Sequence, residues 1–377
     1  MARYGFNVGL DGHRTGPLSE EEAEQVAEGL AVIYYEAREK MLEAVARRAA
    51  RGVDRPGWTE RKAAEVTSAH AQFERLLQRA AKERESVLGG VIERAQLTGS
   101  EKFYDDMRRM LGNADVEHMS PNALKAGYIL ADLNNSLNAA ERRILRQFDD
   151  KYADVIGGTS SLLATGSVTS REAVGMALTR FADEGIDGFT DRGGHHWSLW
   201  NYAEMATLTA INRATISGYS DTMRSYGYDL AIIDSHAGAC PLCEQWEDVI
   251  VSVSGDNSEY PSLDDAESAG CFHPRCMHGI TTYYEGISQP NRGTEFRTEP
   301  APKQEESYAY STRSKQRYYE RQVRKYRDRA AVAQTPQQRT EALNRIRQFT
   351  GKLDALIGSQ PANNYLYRHY DREHSHK

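Results

Sequence analysis

All four cysteines of this chain fall between residues 240 and 276, and that clustering constrains the fold more than any other feature. Cys240-Pro241-Leu242-Cys243 supplies two thiols from one tight turn. After 29 intervening residues, His273-Pro274-Arg275-Cys276 supplies an imidazole and a thiol from another. A Cys-x-x-Cys paired with a distant His-x-x-Cys is a usual way to hold a tetrahedral zinc. Cys240, Cys243, His273 and Cys276 are therefore the expected ligands, with Pro241 stiffening the first turn; His278, His236 and Cys271 are alternates. Four protein ligands close the coordination sphere, so such a zinc is structural: it ties two loops together and leaves no position for an activated water. Asp234, Glu244 and Glu247 are near in sequence and are expected to be solvated. His195 and His196 sit in a glycine-rich loop, where a solvated or core-capping role is expected.

Composition describes a soluble globular protein of two or three domains, with 377 residues, 40% hydrophobic and 27% charged. No run of about 18 apolar residues suggests a membrane span. The opening MARYGFNVGLDGHRTG lacks the apolar stretch and cleavage site of a signal peptide, and reduced, clustered cysteines suit synthesis in a cytoplasm. The net charge of -7 excludes a uniformly basic nucleic-acid coat, although it conceals a local asymmetry.

The predicted fold class is α+β, predominantly α. Ser19 to Glu22 has capping-box spacing and opens a helix ended by Gly52 and Pro56. A second helix is expected from Thr59 to about Leu88, where Gly89-Gly90 bends or breaks it, and a third from Ser120-Pro121. On the third, Leu130, Leu133, Leu137, Ala140, Ile144 and Phe148 form an apolar stripe, read as part of an intramolecular bundle. Gly157-Gly158 is read as a break. Thr169 to Glu172 then caps a helix stopping at Gly185, GIDGFTDRGGHHW reads as loop or hairpin, and Ser198 caps a long helix to Gly227. DLAIID, VIVSV and GITTYY read as short strands around the cysteine loops, with YPSLDDAESAG as loop and short helix. The expected domains are a helical bundle over 1–156, a small zinc-stapled α+β domain over 157–288, a Pro-, Glu- and Gln-rich linker over 289–307 and basic helices over 308–377.

In the tail, Arg313, Lys315, Arg317, Arg321, Arg324, Lys325, Arg327 and Arg329 meet only Glu320 and Asp328, a local balance of +6. Tyr318, Tyr319 and Tyr326 are interleaved. Arg317, Arg321, Arg324, Lys325 and Arg327 are the candidates for contact with nucleic-acid phosphates; equally, the helix can pack on an acidic surface of its own or a neighbouring chain. Thr335-Pro336 with Gln338 starts one more helix, ending near Gly358.

The run from GGHHWSLWNYAEM through SHAGACPLCEQW and HPRCMHGITTYY to YSTRSKQRYYERQVRKYRDR resembles the phage minor capsid protein 2 family, relatives of the Mu F-type head morphogenesis proteins. The shared pattern is W-x-L-x-x-Y-x-x-M, S-H-x-G-x-C-P-x-C, H-P-x-C-x-H and Q-R-x-x-E-R-x-x-R in that order, over roughly residues 194–330. The resemblance implies a minor component of a tailed-phage head, made in the host cytoplasm, present in few copies and sited at or near the portal vertex. Its implied partners are the portal, major capsid and scaffold proteins; packaged double-stranded DNA, and a role in packaging or ejection, are left open. Two positions depart from the pattern. Ala206-Thr207-Leu208-Thr209 stands where the family commonly has an Arg-Thr pair, and Cys271 where an apolar residue is more usual.

No P-loop, G-x-S-x-G, H-E-x-x-H or G-x-G-x-x-G is present, so the expectation is a structural protein and not an enzyme. The rival readings are a metal-dependent nuclease of the HNH kind, which needs a His general base and an Asn or His on a following helix to hold a cation, and for which His236 precedes the first turn but no second half follows His278, and an ADP-ribosyltransferase-like effector, whose Arg, Ser-Thr-Ser and Glu-x-Glu set has no match here.

Overall fold

Side-chain capping starts half of the helices among the described residues. The computed structural model describes residues 16–112, 120–184, 188–190, 196–236, 238–290, 295–303 and 308–359. Helix α1 (Glu20–Ala50) begins behind Ser19, whose hydroxyl accepts from Glu22 N at 3.1 Å while Glu22 Oε2 accepts from Ser19 N at 3.0 Å. The same reciprocal box, made by Thr169 with Glu172 and by Thr335 with Gln338, opens α6 (Ser170–Glu184) and α10 (Pro336–Gly358). The helix expected from Thr59 is two, α2 (Trp58–Ala64) and α3 (Val66–Leu88), because Glu65 caps α2 and its carbonyl starts α3 by accepting from Ala69 N. Helix α4 (Val91–Leu111) follows Gly90, which turns the chain at φ 75°.

Helix α5 (Ala123–Ala164) departs from expectation at both ends. Its start is capped by Asn122, whose side chain accepts from Lys125 N at 3.1 Å, not by Ser120. It also runs straight through Gly157-Gly158, expected to break it. Helical glycine costs about 1 kcal/mol relative to alanine, but Val155, Ile156 and Thr159 are buried, and a Cβ at Gly158 would sit 3.8 Å from that of Ala177 on α6. Packing outweighs the local preference.

The chain divides into two units, each assembled from three stretches. The first takes residues up to Ala27, Glu85–Ser136 and Glu204–Thr312. Its sheet has the order β4-β3-β5, with β3 (Leu230–Ile233) antiparallel to both β4 (Ile250–Ser252) and β5 (Ile280–Thr282). Strands this short cannot form a stable sheet alone. They share a core with Phe103, Tyr104 and Met107 of α4 and with Ile216, Tyr219 and Met223 of α7 (Leu199–Ser225). The two helices approach backbone to backbone: a Cβ on Gly99 would lie 1.9 Å from Thr215 O, and one on Gly218 2.0 Å from Gln96 O. Thr222 Oγ1 donates to Ser100 Oγ at this crossing, at 2.9 Å. Tyr219 joins helices to sheet, its hydroxyl donating to Asp106 Oδ2 at 2.9 Å and accepting from Thr282 N at 2.7 Å. A six-residue helix, α8 (Leu263–Ser268), lies between β4 and β5 in the chain. Part of the expected linker is docked on this unit: Arg297 exchanges backbone bonds with Asp248 and Ile250, and Ala301 N donates to Gln245 O.

The second unit takes Glu28–Arg84, Leu137–Ala203 and residues from Arg313 onward. Leu137, Ala140, Ile144 and Phe148 of α5 are buried in it as the stripe predicts, continued by Tyr152. Arg84, fully buried, donates to Glu141 Oε1 at 2.6 Å, Tyr34 OH at 2.7 Å and Asn138 Oδ1 at 2.7 Å. The glycine-dense segment contributes a hairpin of β1 (Gly188–Thr190) and β2 (His196–Ser198), pairing Phe189 with Trp197. Helix α9 (Tyr308–Val332) enters this unit at Arg313. No helix among the described residues is long and apolar enough to cross a membrane.

Candidate metal centre

Two turns in the first unit bring sulfur and imidazole together. In the first, Cys243 N and Glu244 N both donate to Cys240 O, at 3.0 and 2.9 Å, folding Cys240–Cys243 into a compact loop. In the second, Cys276 N donates to His273 O at 2.8 Å and Arg275 takes the left-handed conformation at φ 68°. Helix α7 holds that turn. Thr209 Oγ1 accepts from Arg275 N at 3.0 Å, Glu204 pairs with the Arg275 guanidinium, and Asn212 Nδ2 donates to the carbonyls of Cys276 and His278 at 3.2 and 3.0 Å.

The donors fall into two groups, each within 4.8 Å of one another: Cys240, Cys243 and His273, and Cys243, Cys276 and His278. Cys240 Sγ is 2.9 Å from His273 Nε2, Cys243 Sγ 3.6 Å from Cys276 Sγ, and Cys276 Sγ 3.2 Å from His278 Nδ1. All four cysteines are reduced, and the Cys271 thiol interacts with that of Cys243. Thiols and imidazoles at these separations match the donor set of a zinc-type centre, in which ligand atoms sit about 3.5 Å apart around the ion.

The electrostatics is that of a cluster short of positive charge. Hydrogen bonding from Cys243, then from His273, holds Cys240 down at about 3 against its burial. Cys276 is likewise held at about 4, by Cys243 first and then His278. Cys243 is pushed up, because its neighbouring thiols make it the one that keeps its proton. Contact with Cys240 raises His273 to about 9. Burial alone would lower His278, but Cys276 and Glu247 outweigh it and hold it at about 10. A divalent cation would supply the missing charge and displace those protons.

The four expected ligands do not form one group among the described residues: Cys240 and His273 share one with Cys243, whereas Cys276 joins Cys243 and His278 in the other. His236 is adjacent, its ring 4.2 Å centroid to centroid from that of His278. The acidic residues differ from expectation. Glu247 is 4% exposed, its Oε1 accepting from His236 N at 2.8 Å and lying 3.1 Å from His278 Nε2. Asp234 is raised by burial and accepts from Thr281 Oγ1 at 2.6 Å. Neither is a freely solvated carboxylate. His195 lies outside the described residues, and of His196 only the backbone, in β2, is described. The sequence reading does not single out Glu204 or Asn212, nor Thr209 as a contact of the second turn; α7 carries many other polar residues, so nothing local marks these three.

The basic helix packs within the second unit. Arg324 is buried, Lys325 Nζ lies 3.8 Å from Asp183 and Arg329 Nε donates to Asp183 at 2.7 Å. Arg38 pairs with the buried Asp328, and Tyr326 stacks on Phe349 at 5.8 Å. Arg321 and Lys315 are exposed, while Arg317 and Arg327 are half-buried.

Residues 18–358 match the model of a family described as phage minor capsid protein 2. A structural protein of Lactococcus phage LL-H is 31% identical over 254 residues, which cover 63% of this chain and 64% of that protein. A structural protein of Lactococcus phage mv4 is 31% identical over 123 residues, covering 31% of this chain and 93% of that protein. The chain thus spans 64% of the length of the first of these relatives. No solved structure matches.

Proposed function

Since the chain belongs to the phage minor capsid protein 2 family, we propose that it is a minor structural component of a tailed-phage head, sited at or near the portal vertex and acting in head assembly. The observation that carries this reading is the family match over 18–358, which takes in the helices as well as the cysteine loops. Zinc is the metal of the cluster and its job is structural. Thiolates outnumber every other donor and both imidazoles are already tied to second partners, Pro274 O and Glu247, as in sites that hold a fold together.

Portal, capsid and scaffold proteins are the partners this role calls for. DNA contact is a secondary function of α9. Its exposed cations, Arg321 and Lys315, suit weak, sequence-independent contact with phosphates, whereas Arg324 and Lys325 are engaged inside the unit.

The direct experiment is quantitative mass spectrometry of purified particles, with and without the gene for this chain. The role predicts a few copies per particle and defective heads without it. Complete, infectious particles that lack the chain would remove the virion role.

A further inference from the structure

We infer that His278, oriented by the carboxylate of Glu247, is the imidazole ligand of the metal alongside the thiolates of Cys240, Cys243 and Cys276, and that His273 stands beside the ion without binding it. The inference deepens the metal reading above and rests on it. Cys240 lies with Cys243 and His273, and Cys276 with Cys243 and His278, so a four-coordinate ion that takes all three thiolates leaves one position for two histidines, and their surroundings differ.

His278 is 2% exposed. A carboxylate accepts but cannot donate, so Glu247 Oε1 at 3.1 Å from His278 Nε2 fixes the ring proton on Nε2. Nδ1 is then the nitrogen left for a cation, which would displace its proton; it lies on the sulfur side, 3.2 Å from Cys276 Sγ. This carboxylate–histidine order behind a metal fixes the tautomer and raises the basicity of the ligand nitrogen. A buried carboxylate is costly unless something requires it, and the same Oε1 also accepts from His236 N, so one oxygen links the segment before the first turn to the ligand of the second. Asn212 completes the arrangement. Its amide bonds the carbonyls on both sides of Met277, clamping the Cys276-Met277-His278 segment as a unit, and His278 N lies 3.4 Å from Cys276 Sγ. Thiolate and imidazole are thus presented together by one short segment anchored to α7.

His273 is held less firmly. Its Nδ1 lies 2.9 Å from the carbonyl of its own neighbour, Pro274. It also lines a cavity of about 300 Å³ with Asn212, Arg213 and Ser217. Its Nε2 lies 2.9 Å from Cys240 Sγ, but among the described residues no side chain on another element orients the ring as Glu247 orients His278.

The test is zinc affinity by chelator competition, together with the spectrum of the cobalt(II)-loaded full chain. His278→Ala should weaken zinc binding by a hundredfold or more, and Glu247→Gln by about tenfold, the usual range for loss of an orienting partner. His273→Ala should change it by less than about threefold. Because alanine variants can fail by misfolding, His278→Cys provides a second arm: it should retain metal and shift the cobalt spectrum from three thiolates to four, while His273→Cys leaves the spectrum as in wild type. Loss of metal from His273→Ala but not from His278→Ala, or an unchanged spectrum in His278→Cys, would overturn the assignment while leaving a metal site standing. Wild-type protein that takes up no zinc or cobalt would remove the metal reading itself, and this assignment with it.

Discussion

The two units solve the problem of burying polar chemistry in opposite ways. In the first, three strands of three or four residues depend on loops drawn together by thiols and imidazoles and on two helices in backbone contact at Gly99 and Gly218. In the second, long helices make their own core and bury complete ion pairs, Arg84 with Glu141 and Arg38 with Asp328. The first is held by contacts that tolerate almost no change of shape. The second is held by charge compensation, which tolerates shape but not the loss of a partner.

The largest effect should follow loss of the shared thiol. Cys243→Ser removes the donor common to both groups, and structural zinc contributes on the order of 10 kcal/mol of local folding energy. Limited proteolysis should show residues 234–284 becoming labile while α3 and α10 stay protected; equal lability of both units would break the contrast. In the second unit, Glu141→Ala strands a fully buried guanidinium and should cost about 3–5 kcal/mol, read by denaturant titration. A loss below 1 kcal/mol would mean the pair is incidental.

Glycine substitutions sharpen the comparison further. Alanine at Gly99 gains helix propensity of about 1 kcal/mol, but the new methyl meets Thr215 O at 1.9 Å, so a net loss of about 3 kcal/mol is expected from overpacking. In the second unit, a Cβ at Gly175 meets the end of the Gln338 side chain, 2.4 Å away, which can make room only by leaving its capping box with Thr335; Gly175→Ala should cost about 1 kcal/mol. Equal melting shifts for the two variants would contradict this account of the crossing.

The smallest effect is electrostatic. Burial, assisted by the charge of Asp328 and opposed by Arg38, raises Glu39 from 4.5 to about 8. The folded state therefore keeps a proton that the unfolded chain releases near 4.5. The stability from this group is fully present below that value and is lost as pH rises through about 8. Glu39→Gln should flatten the decline in melting temperature between pH 5 and 9; an unchanged slope would assign the decline to other groups.

Features with local causes were legible in the sequence. The capping boxes at Ser19, Thr169 and Thr335 and the cysteine turns are written within four residues, and each forms as its spacing implies. Gly157-Gly158 misleads because its neighbours' burial, not its own propensity, decides the outcome. The Gly99–Gly218 crossing, the Asn212 clamp and the buried Glu247 depend on residues tens of positions away, so no window of sequence displays them. The tail shows the same limit: its charge is plain, but the partners from elsewhere in the unit, Asp183 for Lys325 and Arg329 and Arg38 for Asp328, appear only once α9 is packed.

The central claim is that a metal held by the cysteine and histidine turns supports the first unit and not the second. Hydrogen exchange of the purified full chain before and after chelation, with metal content measured on the same samples, tests it most directly. The account predicts about one zinc per chain before treatment, and loss of protection after it across residues 234–284, with the buried α5 residues Leu137–Tyr152 unchanged. Absence of zinc from carefully prepared protein, or exchange across 234–284 that is indifferent to its removal, would contradict it.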